Sequence, residues 1–179
     1  MFFANNSHFS AKMISRTALV IAMTSVINQI HVFMMPQGGE VSLGTMIPLI
    51  LLSYCFGWRI TLLAGFICGI IALMINPFFY HPVQVLLDYP LPYMAMALVG
   101  LFKQRIFLGT TVAYALKYVF HVISGAVFFA SYAPEGTPAF LYSVIYNGSF
   151  VVPDWLICCL IIHFLPIERI INAMRDESL

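Results

Sequence analysis

Ionisable side chains lie inside apolar stretches of this chain, where they must find partners. Lys117 and His121 are one helical turn apart, and Gly125 and Phe129 continue the same i, i+4 row. Asp88 lies in another apolar stretch. A charged group inside a membrane is unfavourable by roughly 2.5 kcal/mol or more, so it is tolerated where it faces a partner or a cavity. These residues predict a polar pocket between helices, near one end of the membrane.

The carboxylate of Asp88 has two interpretations. It could pair with Lys117 or form a hydrogen bond to a backbone group of the fourth span freed by Pro92, or it could be the counter-charge for a cationic solute. Aromatic faces attract the same cation by about 0.5–2 kcal/mol each, and the candidates are Tyr89, Phe128, Phe129, Tyr142 and Tyr146. His121 could be a hydrogen-bonded core residue, a proton relay or a ligand partner. Asp154 has no assigned role.

The composition identifies the class of protein that carries these residues. Of 179 residues, 61% are hydrophobic and only 8% are charged, whereas soluble domains carry about 25% charged residues. We therefore expect an integral membrane protein in a lipid bilayer. The net charge of +1 gives no indication of a nucleic-acid partner. The four cysteines lie in apolar runs without metal-ligand spacing, so we expect small buried hydrophobic residues and no metal.

Continuous apolar runs predict an all-α bundle of six transmembrane helices in one domain, residues 1–179. The expected spans are about 13–35, 43–56, 60–75, 83–102, 106–131 and 139–165. The second is short for a span of ~20 residues, and Pro90 and Pro92 interrupt the fourth. The runs do not alternate as the strands of a membrane β-barrel would. Residues 1–12 lack the basic start of a signal peptide, so the first run is expected to be retained.

The basic residues predict the orientation of the bundle. In a six-span arrangement, seven of the eight basic residues fall on one side: Lys12, Arg16, Arg59, Lys103, Arg105, Arg169 and Arg175. The positive-inside rule then places both termini in the cytoplasm. The same arrangement brings Asp88, His121, Tyr142 and Asn147 to similar depths beneath the outer surface.

Motifs for catalysis are absent from the sequence. It contains no GxxxxGK[ST] phosphate loop, no HExxH zinc motif and no GxSxG nucleophile turn. We therefore expect neither an enzyme nor a cofactor in this chain. Two pairs of small residues, Ala18 with Ala22 and Gly65 with Gly69, permit close helix approach. Each pair serves either packing within the bundle or docking of another membrane protein.

Three stretches resemble a known family. Residues 35–48 (MPQGGEVSLGTMIP), 81–89 (HPVQVLLDY) and 117–148 (KYVFHVISGAVFFASYAPEGTPAFLYSVIYNG) resemble the thiamine-specific S component (ThiT/YuaJ family) of energy-coupling-factor (ECF) transporters. The resemblance implies a six-helix bundle in a prokaryotic plasma membrane, with a deep extracellular pocket that binds thiamine tightly. It also implies docking on a module of one transmembrane subunit and two ATPase subunits, whose ATP hydrolysis drives release inside.

The resemblance also implies a set of thiamine-binding residues. Asp88 stands where the family often has a glutamate that faces the cationic ligand, and Phe129 stands where some members have a tryptophan. Lys117, His121 and Gly125 match the family's KYxxHxxxG pattern. The set implied is Asp88, Tyr89, Lys117, His121, Gly125, Phe129, Tyr142 and Asn147.

Two further features follow from the same resemblance. Ala18 and Ala22 match the family's AxxxA face for docking on the energising module, and the loop around Gln37–Val41 corresponds to its lid. Two competing functions differ from this one in class. A free-standing proton-coupled carrier of thiamine or a precursor would use His121 and Asp88 as relay groups, and an intramembrane enzyme would turn its ligand over.

Overall fold

Helices and one small hairpin make up the computed structural model, which describes residues 11–36, 38–102 and 104–175. Gln37 and Lys103, both used above, lie outside the described residues. The helices are α1 (Ala11–Ile27), α2 (Ile47–Phe56), α3 (Trp58–Ile75), α4 (Pro82–Asp88), α5 (Pro90–Met94), α6 (Ile106–Phe128), α7 (Ala139–Phe164) and α8 (Ile167–Arg175). Strands β1 (His31–Met34) and β2 (Glu40–Ser42) form the hairpin, and 3₁₀ turns span Ala95–Leu101 and Ala130–Tyr132.

Four stretches of the described residues are long and apolar enough to cross a membrane. They are Trp58–Ile75, Pro82–Leu101, Ile106–Phe128 and Ala139–Phe164. These correspond to the third to sixth predicted spans. The apolar helix α2 is shorter, as its run in the sequence indicated.

The hairpin corrects the purely α-helical expectation and the predicted end of the first span. Helix α1 ends at Ile27, not near residue 35, and β1 pairs antiparallel with β2 so that Met34 lies opposite Glu40. The connection contains Pro36 and Gly38, and Gly38 has φ +91°, a conformation that favours glycine. The turn chemistry of this connection therefore overrides the apolar character of the preceding residues.

The fourth predicted span is interrupted between α4 and α5, as its prolines predict. Pro90 is the first residue of α5 and cannot donate a backbone hydrogen bond to the preceding turn. The residue before a proline is also disfavoured in the α region, and Tyr89 leaves it with φ −113° and ψ −80°. The break therefore occurs directly after Asp88 and places two predicted site residues at a discontinuity of the helix.

Close packing around α2 and α3 forms the core of the bundle. Leu49, Ile50 and Leu52 of α2 are completely buried. Helix α3 closely approaches the backbone of α5 at Gly65 and Gly69. A Cβ atom at Gly65 would overlap the backbone of Tyr93, and one at Gly69 would overlap that of Pro90. The glycine pair therefore serves internal packing. By contrast, Ala18 and Ala22 are exposed on α1, where Thr17, Val20 and Thr24 make up the buried face.

We expect Gly65→Ala to lower the melting temperature of the detergent-purified protein. A Cβ atom at Gly65 would lie 2.7 Å from the Tyr93 carbonyl oxygen, and backbone cannot move aside as a flexible side chain can. Overpacking of this kind destabilises proteins by about 1–3 kcal/mol. Gly148→Ala is the matched control, because its nearest neighbour would be the Tyr118 hydroxyl at 3.5 Å. Equal melting temperatures for the two variants would contradict the packing described.

Candidate functional site

A cavity of about 660 Å³ lies between the hairpin, the α4–α5 break and helices α6 and α7. Its volume is within the range of small-molecule pockets, which measure roughly 300–1,000 Å³. All eight predicted ligand-contact residues line it: Asp88, Tyr89, Lys117, His121, Gly125, Phe129, Tyr142 and Asn147. The convergence of residues from separate spans, expected from topology, is therefore present in the fold.

The Asp88 carboxylate is oriented by hydrogen bonds on one of its oxygens. Oδ2 accepts from Gln84 Nε2 at 2.7 Å and from Ser124 Oγ at 2.9 Å. Oδ1 lies 3.4 Å from His121 Nδ1, and the side chain is 20% exposed. Lys117 pairs elsewhere, so the interpretation of Asp88 as its partner is wrong. Oδ1 of Asp88 and the adjacent imidazole of His121 are therefore the groups that face the cavity.

Lys117 forms its ion pair with Asp154, the residue without an assigned role. The Nζ–Oδ2 distance is 3.1 Å, and Asp154 is 1% exposed. Asp154 Oδ2 also accepts from the Tyr114 hydroxyl at 2.9 Å, while Oδ1 accepts from the backbone N–H and hydroxyl of Ser42 at 3.1 and 2.7 Å. Asp154 therefore ties the end of β2 to α6 and α7. The sequence did contain a signal for this pair. Lys117 and Asp154 are opposite charges in adjacent predicted spans, and each needs a counter-charge when it is buried.

Glu40 also lines the cavity, although the sequence analysis did not single it out. Its Oε2 lies 3.1 Å from Nδ1 of His31 on the paired strand. Burial raises the pKa of Glu40 above its ordinary value, while its electrostatic interactions with His31 and Lys117 act in the opposite direction. The sequence offered one indication of its importance. Glu40 is an acidic residue directly after Gly38 and Gly39, in the loop interpreted as a lid.

We expect the stability advantage of Glu40→Gln over the parent to increase with pH. Because the folded-state pKa of Glu40 is raised, its contribution to stability is greatest at low pH and is lost as pH rises through that value. Glutamine keeps the shape and removes the titration. Melting temperatures of both proteins in detergent between pH 4 and pH 8 test this. A difference that is constant with pH would contradict the role of burial.

Aromatic rings form two walls of the cavity. In one wall Phe129 packs against Phe78, with ring centroids 5.7 Å apart, and against Tyr132 at 6.1 Å. In the second wall Tyr142 and Tyr146 have centroids 5.8 Å apart. All five residues line the cavity. Flat, electron-rich surfaces of this kind accommodate a planar or cationic ligand.

Gly125 and Asn147 occupy the contact between α6 and α7. A Cβ at Gly125 would collide with the Ser143 hydroxyl and would lie 3.1 Å from Asn147 Nδ2. Asn147 Nδ2 donates to the Ser143 carbonyl at 2.9 Å. The small residue at position 125 therefore allows the two helices to approach closely at the cavity wall.

Comparisons with known proteins agree on one family. The model of the family described as "Thiamine transporter protein (Thia_YuaJ)" matches residues 14–173. A relative from Bacillus subtilis, "Thiamine transporter ThiT", is 39% identical over 73% of this chain and 77% of its own length. A protein of the same name from Lacticaseibacillus paracasei is 29% identical over 79% and 80%. A solved structure of ThiT from Listeria monocytogenes has the same fold, with a TM-score of 0.78, 21% identity, and coverage of 89% of this chain and 95% of that one.

Proposed function

Because the chain belongs to the thiamine transporter family, and is therefore a multi-pass protein of a prokaryotic plasma membrane, we propose that it captures thiamine in this cavity. Thiamine carries a permanent thiazolium cation and a flat aminopyrimidine ring. The observation that carries the proposal is the Asp88 carboxylate, which Gln84 and Ser124 hold in the lining of the cavity that also contains both aromatic walls. This arrangement offers a negative charge and stacking surfaces to the same ligand.

The distribution of charge in the cavity supports a cationic ligand. The cavity is lined by three carboxylates, from Glu40, Asp88 and Asp154, and by the side chains of Lys117 and His121. Lys117 is engaged by Asp154, which leaves the carboxylates of Asp88 and Glu40 next to imidazoles. The remaining negative charge would attract the thiazolium. His121, Tyr142 and Asn147 supply polar groups for the pyrimidine edge or the hydroxyl.

Competition experiments test this assignment. Labelled thiamine bound to the detergent-purified protein should be displaced by unlabelled thiamine, and much less well by the neutral fragment hydroxyethylthiazole. The fragment lacks the permanent charge that the Asp88 carboxylate would recognise. Equal displacement by the neutral fragment would contradict a cation-selective cavity.

The six-span topology with both termini in the cytoplasm is also part of the proposal. Arg16 Nη1 of α1 donates to the carbonyl oxygen of Met174 in α8 at 2.7 Å, so both described ends of the chain meet on one side of the bundle. An even number of spans is consistent with this contact. With the positive-inside rule, that side would be cytoplasmic and the hairpin would cover the extracellular mouth of the cavity.

Delivery of the bound thiamine would depend on a partner ECF module. The exposed Ala18 and Ala22 on α1 form a small-residue face that another transmembrane helix could approach closely. The partner would be one transmembrane subunit with two ATPase subunits, and ATP would be used there. The free-standing proton-coupled carrier has one observation in its favour, the 3.4 Å contact of His121 with Asp88.

Uptake by cells separates these two mechanisms. Labelled thiamine should accumulate only when the chain is co-expressed with an ECF module, and accumulation should require ATP. A collapsed proton gradient should leave uptake unchanged while ATP is maintained. Accumulation without the module, abolished by a proton ionophore, would instead establish the carrier.

A further inference from the structure

We propose that Gln84 is a positioning residue for ligand binding, which orients the Asp88 carboxylate and ties it to the loop of residues 76–81 at the cavity. This role rests on the proposed binding of a cationic ligand by Asp88. Gln84 lies on α4 one helical turn before Asp88 and is 1% exposed. A buried amide must satisfy its donors and its acceptor within the protein, so each of its contacts constrains a neighbour.

The hydrogen bonds of Gln84 determine which way its amide faces. The backbone N–H of Tyr80 donates to Gln84 Oε1 at 3.0 Å. Since an N–H can only donate, the amide atom that faces it must be the oxygen. The amide nitrogen is thereby directed at Asp88 Oδ2, 2.7 Å away, with a longer contact of 3.4 Å to the Phe78 carbonyl oxygen. The loop therefore selects the orientation of the amide that donates to Asp88.

This donor also determines which oxygen of Asp88 faces the cavity. Gln84 and Ser124 both donate to Oδ2, so rotation of the carboxylate would break two hydrogen bonds at once. Oδ1 remains beside His121. Hydrogen bonds to an ionised group are among the stronger ones in proteins. Gln84 thus prepares Asp88 for a ligand before the ligand arrives.

The same amide positions an aromatic wall. Phe78 and Tyr80 lie in the loop that Gln84 holds, and their ring centroids are 5.7 and 6.1 Å from that of Phe129. The hydroxyl of Tyr89 supports this loop independently, since it donates to Asn76 and accepts from the N–H of Phe78. One buried side chain, Gln84, is therefore hydrogen-bonded both to the carboxylate and to the loop that carries Phe78 and Tyr80.

A double-mutant cycle with thiamine as the probe tests the role of Gln84. Gln84→Met should raise the Kd for thiamine about tenfold in the parent, because an oriented hydrogen bond to the carboxylate is lost. In an Asp88→Asn background the same substitution should raise the Kd less than about threefold, since the charge it orients is gone. Gln84→Asn is the second variant. It keeps a polar amide that is too short to reach both partners, and should show the same dependence on Asp88.

Thr110→Val is the matched control for the loss of a buried polar group. Thr110 is fully buried in α6 and does not line the cavity, so its replacement should leave the Kd unchanged. If Gln84→Met or Gln84→Asn raised the Kd for thiamine by the same factor in the parent and in the Asp88→Asn background, the effect would be a general structural one and the proposal would be overturned. The proposal would also be overturned if Gln84→Met bound thiamine as tightly as the parent while Asp88→Asn bound it more weakly. Unchanged affinity of Asp88→Asn alone would identify the proposed function itself as the failure.

Discussion

Asp88→Asn is expected to raise the Kd for thiamine about 100-fold while the protein remains folded. Asparagine has the same shape as aspartate and can still accept from Gln84 or Ser124, but it lacks the negative charge. Loss of one partner from a desolvated charge pair weakens binding by about 2–5 kcal/mol, and 100-fold corresponds to about 2.7 kcal/mol. Calorimetric titration of parent and variant with thiamine measures the change directly.

Glu135→Gln is the charge-matched control for this experiment. Glu135 is exposed in the connection before α7 and is not among the residues that line the cavity. Its neutralisation changes the net charge of the chain by the same amount as Asp88→Asn. The control should bind thiamine as the parent does. Similar affinities for Asp88→Asn and the parent would contradict the assignment of Asp88 as the counter-charge.

Disruption of the Lys117–Asp154 pair is expected to have the largest effect on stability. Removal of one partner strands a buried charge, and such substitutions destabilise proteins by about 3–5 kcal/mol. Asp154→Asn should therefore lower the melting temperature strongly, since Lys117 is buried and loses its counter-charge. Lys117→Met should do so less, because Asp154 keeps its hydrogen bonds from Ser42 and Tyr114.

The double variant Lys117→Met/Asp154→Asn distinguishes an ion pair from two independent contributions. Removal of both charges leaves neither stranded, so the double variant should be clearly more stable than the sum of the single effects predicts. Thermal unfolding of all four proteins in the same detergent provides the comparison. Strictly additive losses would show that the two charges do not stabilise each other.

The order of apolar runs predicted most of the helical framework, because long apolar segments in a membrane satisfy their backbone as helices. The spans beginning near residues 60 and 139 correspond closely to α3 and α7. The first span was predicted too long. Hydropathy does not distinguish an apolar hairpin strand from the end of an apolar helix, so the change at His31–Met34 was missed.

The candidate site was predictable where ionisable and aromatic residues recur at helical spacing. Lys117 and His121 share the row that faces the cavity. The pairing of those groups was not predictable, since it depends on how helices rotate against one another. Lys117 pairs with Asp154 instead of Asp88, and the neutral Gln84 donates one of the two hydrogen bonds that Asp88 Oδ2 accepts. Glutamine has no charge to mark it in a sequence, so its importance depends on burial.

The measurement that tests the central claim most directly is a calorimetric titration of the detergent-purified protein with thiamine in the absence of ATP. Saturable binding of one thiamine per chain with a Kd in the nanomolar range, about −12 kcal/mol, is the predicted result. It would establish that this chain alone captures the vitamin. No detectable binding up to roughly 100 µM, where standard free energies are about −5.5 kcal/mol, would contradict thiamine as the ligand of the cavity.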